Sequence, residues 1–252
     1  MKRIKKINDS NNLKTAIKII NNVYAEIPKT TGCIEHINKP KDEGGCGAWC
    51  CEQMNPQVLY SEFLNSWSHV LKTWDIEQIL NLIESAILNY LENKPNKGCI
   101  FFDKTTLMCS QHNTRPYNCR MYGVVPKEEF EKRKSKYKSS VGELPMYARD
   151  QCSLVKTSDG SVITKSMSDD WWRRLRYAEN VIGIKNKDVI DNEDGSYLTY
   201  HDHLLLQLLP DEIMSDITFI KVNSDSLEKV KTAKVIVEQL RVNLEKAIGG
   251  LK

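Results

Sequence analysis

DIEQILNLIESAILNYLE, residues 75–92, places Ile76, Ile79, Leu80, Ile83, Ile87, Tyr90 and Leu91 along one face of a helix. An apolar face this continuous has to be covered by other elements. Lys94-Pro95-Asn96 stops the helix. The next segment is of another kind. GCIFFDKTTLMCSQHNTRPYNCR, residues 98–120, has no helical or strand period and carries Cys99, Cys109 and Cys119. The expected fold class is therefore mostly α, with helices surrounding an irregular cysteine-rich metal-binding loop region.

The same reading extends in both directions. Ser10 can cap a helix to about Glu26, with Leu13, Ala16, Ile17, Ile20, Val23, Tyr24 and Ile27 at helical spacing. Residues 28–48 are rich in Pro and Gly and read as loop. Asn55-Pro56 is expected to open a helix running to about Trp74. Downstream, Pro126 to Ser139 is a charged helix, and 140–165 is loop with a short hairpin near Asp159-Gly160. A helix from about Ser168 to Val181 comes next, then two short helices near 199–208 and 210–220. Asp225 and Glu228 form a capping box for a last helix ending at Gly249-Gly250. Its stripe of Leu227, Val230, Ala233, Val237, Leu240, Leu244 and Ala247 reads as core-facing rather than as a coiled-coil seam. Residues 1–158 are expected to form the cysteine-cluster region with its flanking helices, and 159–252 a helical region packed on it, as one continuous domain.

The chain has 252 residues, enough to bury a core without disulfides. A net charge of +3 is too mild to point to nucleic acid or a membrane surface. The basic start MKRIKKINDS is followed by no apolar segment of signal-peptide type, and no apolar run is long enough to span a bilayer. The expected location is cytoplasmic, where thiols stay reduced. No P-loop, dinucleotide-binding or nucleophile-elbow motif occurs.

Eight cysteines then need explaining: Cys33, Cys46, Cys50, Cys51, Cys99, Cys109, Cys119 and Cys152. The last hundred residues carry none, so the sulfur belongs to a dedicated region. In GGCGAWCC, residues 44–51, Cys46 and Cys50 would share a helix face, and the glycines let backbone fold close to a sulfur-rich centre. Arg115 and Arg120 flank Cys119 and can offset the negative charge of thiolates, and Phe101 and Phe102 can exclude water. Thiolates select iron–sulfur or zinc and not calcium or magnesium. The chain lacks the C-x2-C pairs of common zinc sites, and its spacings also differ from the ferredoxin patterns. An iron–sulfur cluster is the preferred cofactor, zinc the alternative, and core packing without metal the last. Cys33 and Cys152, each alone in a loop, are the members most easily read as packing.

Cys46-Gly-Ala-Trp-Cys50-Cys51, then Cys99-Ile-Phe-Phe, Cys109, and Arg115-Pro116-Tyr-Asn-Cys119-Arg120 together resemble the YkgJ-type cysteine-cluster family, described as zinc- or iron-chelating. The resemblance covers roughly residues 33–155. It implies a metal site built from Cys46, Cys50, Cys51, Cys99, Cys109 and Cys119. A more distant likeness to the cysteine regions of flagellin lysine-N-methylases implies an iron–sulfur enzyme that modifies a protein or peptide. The alternative is a non-catalytic metalloprotein with a redox partner: an electron carrier, a metal store or a redox sensor. Neither likeness assigns a catalytic residue or accounts for the cysteine-free last hundred residues.

Other features carry blander readings. Tyr200-His201-Asp202-His203 reads as a solvent-exposed helix start rather than a metal pair, and His112 as a neighbour of Cys109 that could support or replace a ligand. Trp171 and Trp172 diverge by about 100° on a helix, so at most one faces the core. The basic run from Lys132 to Lys138 reads as a solvated helix end.

Overall fold

The computed structural model describes residues 11–31, 51–52, 55–92, 98–106, 108–141, 152, 155–184 and 198–249. Helices hold 71% of these residues, so the protein is mostly α. The elements are α1 (Asn11–Glu26), β1 (Thr30–Thr31), α2 (Tyr60–Thr73), α3 (Ile76–Glu92), β2 (Phe102–Asp103) and β3 (Met108–Cys109). After a 3-10 turn at His112–Thr114 come α4 (Tyr117–Met121), α5 (Lys127–Val141), β4 (Lys156–Thr157), α6 (Lys165–Val181), α7 (Tyr200–Leu208), α8 (Asp211–Asn223) and α9 (Ser226–Gly249).

α3 is the central helix of the first apolar cluster. Ile79, Leu80, Leu82, Ile83, Ala86, Ile87 and Leu91 are all buried. The buried surface is wider than a single stripe because α7, α8 and α9 all pack against this helix. α9 contributes Ala233, Ile236, Val237, Leu240 and Leu244. This is the core-facing stripe from Ala233 onward: Leu227 is 63% exposed, Val230 is half-buried, and Ile236 takes an inward place. A fork from Arg241 to Glu77, at 2.5 and 3.3 Å, joins α9 to α3 at the surface.

The second cluster joins α1 to α6. Ala16, Ile20, Val23, Tyr24 and Ile27 pack with Tyr117, Met121, Trp171, Leu175 and Ala178. Trp171 is in this core, whereas Trp172 is partly buried beside Tyr117, ring centroids 5.7 Å apart. Arg174 grips Glu26 with two bonds of 2.5 and 2.8 Å, so this arginine acts in helix packing.

Three local expectations yield to longer-range contacts. Asn55-Pro56 does not open a helix. Residues 55–59 run without helix, Gln57 bridges to Thr199, and Val58 N–H donates to the Leu198 carbonyl at 2.9 Å. α2 starts at Tyr60 because distant carboxylates take its free N–H groups: Glu179 of α6 accepts from Ser61 at 2.6 Å and Tyr60 at 3.3 Å. The strand at 156–157 pairs with β1, not with a local partner, and Gly160 closes only a turn. His201 and His203 do begin a helix, capped by Thr199, yet both are buried, at 4% and 2% exposure. His203 Nε2 lies 3.0 Å from the Val58 carbonyl, which holds α7 to the segment before α2.

Glu62 is the other carboxylate at the start of α2, and it is buried. It accepts from Leu59 N–H at 3.2 Å, Tyr117 N–H at 2.7 Å and the Tyr24 hydroxyl at 2.5 Å. Burial raises its pKa, with the nearby Glu179 acting in the same direction, while the three donors act against them. A carboxyl whose folded pKa lies above its unfolded value favours the fold most below that unfolded value, and the advantage is lost as pH rises through the folded pKa. Glu62→Gln removes this titration and turns an amide N–H2 toward a backbone N–H, a loss of about 1–3 kcal/mol. Denaturant unfolding of E62Q beside the unsubstituted chain, from about pH 4 to about pH 8, should show a gap largest at the acid end. A gap that widens as pH rises would contradict this role.

Candidate metal centre

The cysteine-bearing segment is held by backbone bonds from one cysteine arm to the next. Cys51 lies on a helical turn, and its carbonyl accepts the N–H of Cys99 at 2.9 Å. Gly98 makes that approach feasible. A Cβ there would sit 2.4 Å from the Glu52 carbonyl oxygen and 2.9 Å from that of Cys51. The chain then turns, with Phe102 N–H bonded to the Cys99 carbonyl at 3.0 Å. β2 and β3 pair antiparallel, which sets Phe102 opposite Cys109. Asp103 closes the turn between the strands by accepting from Thr105 N–H at 2.8 Å and from the Thr106 hydroxyl at 2.9 Å.

Beyond β3, Ser110 N–H returns to the Phe101 carbonyl at 2.8 Å. The 3-10 turn is fastened to α2 by Ser66, whose hydroxyl donates to the Thr114 carbonyl at 3.0 Å. α4 begins at Tyr117 after Pro116, and Glu62 takes the Tyr117 N–H. Cys119 therefore rides on a short helix whose first turn is tied to a buried carboxylate.

The surroundings of these thiols are rich in donors and positive charge. Burial pushes the Cys109 thiol up. The Gln111 N–H it accepts and the Arg115 guanidinium nearby act in the opposite direction and favour the thiolate. Arg115 donates from Nη2 to the Thr30 hydroxyl at 3.1 Å, while among the described residues its Nε is buried without a partner, as is Nε2 of Gln111. Arg120 lies over the Tyr24 ring, 4.1 Å from the centroid, and donates to the carbonyls of Arg115 at 2.9 Å and Asn113 at 2.6 Å. His112 is held neutral at pH 7, with a pKa of about 4, by burial and by the charges of Arg115 and Arg120. Unpartnered buried N–H groups beside thiols suit an anionic occupant, and the sulfur donors suit zinc or iron.

The residues singled out in the sequence fall into three groups. Cys33, Cys46 and Cys50 lie outside the described residues. Cys51, Cys99, Cys109 and Cys119 are half-buried thiols on the connected arms just described. Cys152 is also a half-buried thiol, three residues ahead of Val155, whose side chain fills the space beside Gly123. Among the described residues, no set of three or more His, Cys, Asp or Glu side chains stands close enough together to hold a metal ion. Phe101 is buried, packing edge-on to Tyr200 at 4.9 Å and to Trp74 at 6.2 Å, and Phe102 is partly exposed.

Sequence reasoning missed Glu62 and Tyr200. Glu62 occupies the third position of α2, where a glutamate commonly reaches back to the helix start, and that was the available signal. Leu59 before it offers no side-chain acceptor, so the motif is only half present. Tyr200 reads in the sequence as part of an exposed helix start but is buried, and its partners Ser66 and Phe101 lie about a hundred residues or more away.

No helix among the described residues is long and apolar enough to cross a membrane. Searches of curated proteins and of solved structures find no match to the chain. Residues 42–137 match the family model CxxCxxCC, described as "Putative zinc- or iron-chelating domain". That span takes in Cys46, Cys50, Cys51, Cys99, Cys109 and Cys119, and it leaves out Cys33 and Cys152. Over residues 42–137 the chain is therefore similar to a cysteine-cluster family described as zinc- or iron-chelating.

Proposed function

We propose that this protein is an iron–sulfur enzyme whose cluster is held by thiolates drawn from Cys46, Cys50, Cys51, Cys99, Cys109 and Cys119. The observation that supports this reading is the donor-rich surroundings of Cys109: the Gln111 backbone N–H bonds to it, the Arg115 guanidinium favours its thiolate, and Arg115 Nε and Gln111 Nε2 are buried without a partner among the described residues. An iron–sulfur cluster supplies sulfide and thiolate sulfurs that accept such bonds, and those bonds tune its potential. The absence of any C-x2-C pair argues in the same direction, away from an ordinary zinc knuckle.

When bound, such a cluster would supply one-electron or Lewis-acid chemistry. The chain's own residues do the rest. The cysteines bind, Arg115 and Arg120 offset charge, and Phe101 with Tyr117 and Met121 keeps water from the inner side. The described cysteines keep partial exposure, which gives a reactant access to the outer side. The substrate class to test first is a protein or peptide, as the lysine-N-methylase likeness implies. Electron transfer to a partner is the alternative role of the same centre.

Anaerobic purification followed by iron, zinc and acid-labile sulfide analysis should give brown protein containing iron and sulfide. Colourless protein with stoichiometric zinc and no sulfide would overturn the iron–sulfur assignment. Gly98→Ala tests the geometry of the centre independently of metal type. Its Cβ meets main-chain carbonyls and no flexible side chain, so the Cys51 and Cys99 arms must separate. Bound metal should fall severalfold while the far-ultraviolet circular dichroism stays helical. Full metal content in G98A would show that these two arms do not meet at the centre.

A further inference from the structure

The matched segment ends at residue 137, yet one side chain from α7 reaches both arms of the cysteine region. Tyr200 is 1% exposed. On one side its ring stands edge-on to Phe101, with centroids 4.9 Å apart and planes at 85°. Phe101 is two residues from Cys99, and its carbonyl accepts both the N–H and the hydroxyl of Ser110, just after Cys109. On the other side the Tyr200 hydroxyl lies 2.9 Å from Ser66 Oγ. Ser66 has one proton and uses it on the Thr114 carbonyl, so Tyr200 is the donor in this pair. The chain of bonds runs from α7 through α2 to the turn that leads into Arg115, Pro116 and α4.

We propose that Tyr200 is a positioning residue of the metal centre, fixing the Cys99–Cys109 arm and the Cys119 arm at one separation through Phe101 and through Ser66. This rests on the metal-centre reading above and extends it. The helical region beyond residue 158 then completes the site and is more than a cover for the core. Both thiols lie within electrostatic reach of the hydroxyl. Its pKa stands well above the ordinary tyrosine value, chiefly through burial, against which the Ser66 bond acts, with Cys119, Glu62 and Cys99 adding to the rise. The hydroxyl therefore stays protonated as a donor. A ligand set spread over arms with no covalent tie is sensitive to such outer support, and removing one outer partner typically weakens metal binding about 10- to 100-fold.

The test is an anaerobic titration of the reduced, metal-free full chain with Co(II), following the sulfur-to-cobalt charge-transfer band and competing with a chelator. Tyr200→Phe keeps the ring against Phe101 and removes the bond to Ser66; Ser66→Ala removes the same bond from the other end, and with it the bond to the Thr114 carbonyl. Each should weaken Co(II) binding about tenfold and shift the band, with helical content unchanged. The double variant should be no weaker than the worse single one, because the two share one bond. Unchanged affinity and band in both single variants would overturn this proposal while leaving the metal reading intact. An unsubstituted chain that takes up no Co(II) would overturn both. A loss confined to thermal stability, with metal binding unaltered, would overturn the positioning role and assign Tyr200 to the core alone.

Discussion

The carboxylate of Glu62 is the constraint on which this arrangement turns. A buried charged group is tolerated only where donors surround it. Here Leu59 N–H, Tyr117 N–H and the Tyr24 hydroxyl converge on it. Those three donors belong to the start of α2, to α4 and to α1. One carboxylate thus fixes three elements at a single point, and one of them carries Cys119. Glu179 does the complementary work at the same helix end, linking α6 to Tyr60 and Ser61. Burial raises the cost of ionising both side chains, and Glu179 adds to that cost at Glu62, while the N–H groups at the start of α2 act against it.

Much of the helical layer was legible in the sequence because local pattern and tertiary demand agree there. The α3 face, the α1 face and the Ala233–Leu244 stripe obey helical spacing, and the structure buries them. Agreement fails where a distant partner overrides a local signal. Asn55-Pro56 looks like a helix start, but pairing with Thr199 keeps that segment extended, and Glu179 moves the true start to Tyr60. His201 and His203 look like surface residues. They are buried because Asn89 on α3 lies 2.8 Å from a ring nitrogen of His201, and the Val58 carbonyl 3.0 Å from one of His203. Burial holds His203 neutral, with a pKa of about 4, which suits a core residue.

The candidate site divides along the same line. Its metal-chelating character could be read from residue types, since eight sulfurs concentrated in one part of the chain point to metal. Its scaffold could not. Ser66, Glu62 and Tyr200 look like ordinary helix residues, and their importance arises only when α2 and α7 lie against the loop. Gly98 is intermediate. A glycine before a cysteine suggests close backbone approach, but only the structure shows that the approach is to the Cys51–Glu52 carbonyls.

The loop region is electrostatically unbalanced by itself, and that imbalance has a direction. Burial disfavours the Cys109 thiolate, whereas Gln111 N–H and Arg115 favour it. Arg115 and Gln111 hold buried N–H groups with no acceptor among the described residues, and Arg120 is kept below its ordinary pKa by burial despite Glu62 and Cys119 nearby. Each of these costs falls if the thiols give up their protons to a metal. The negative charge then placed on sulfur meets the arginines, and the idle donors gain acceptors. A loop whose internal strands are two residues long gains order from that exchange as well as charge balance. The arms are fixed at their bases by Glu62, Ser66 and Tyr200. Metal uptake therefore meets arms already held at their bases, which lowers the entropy lost on binding.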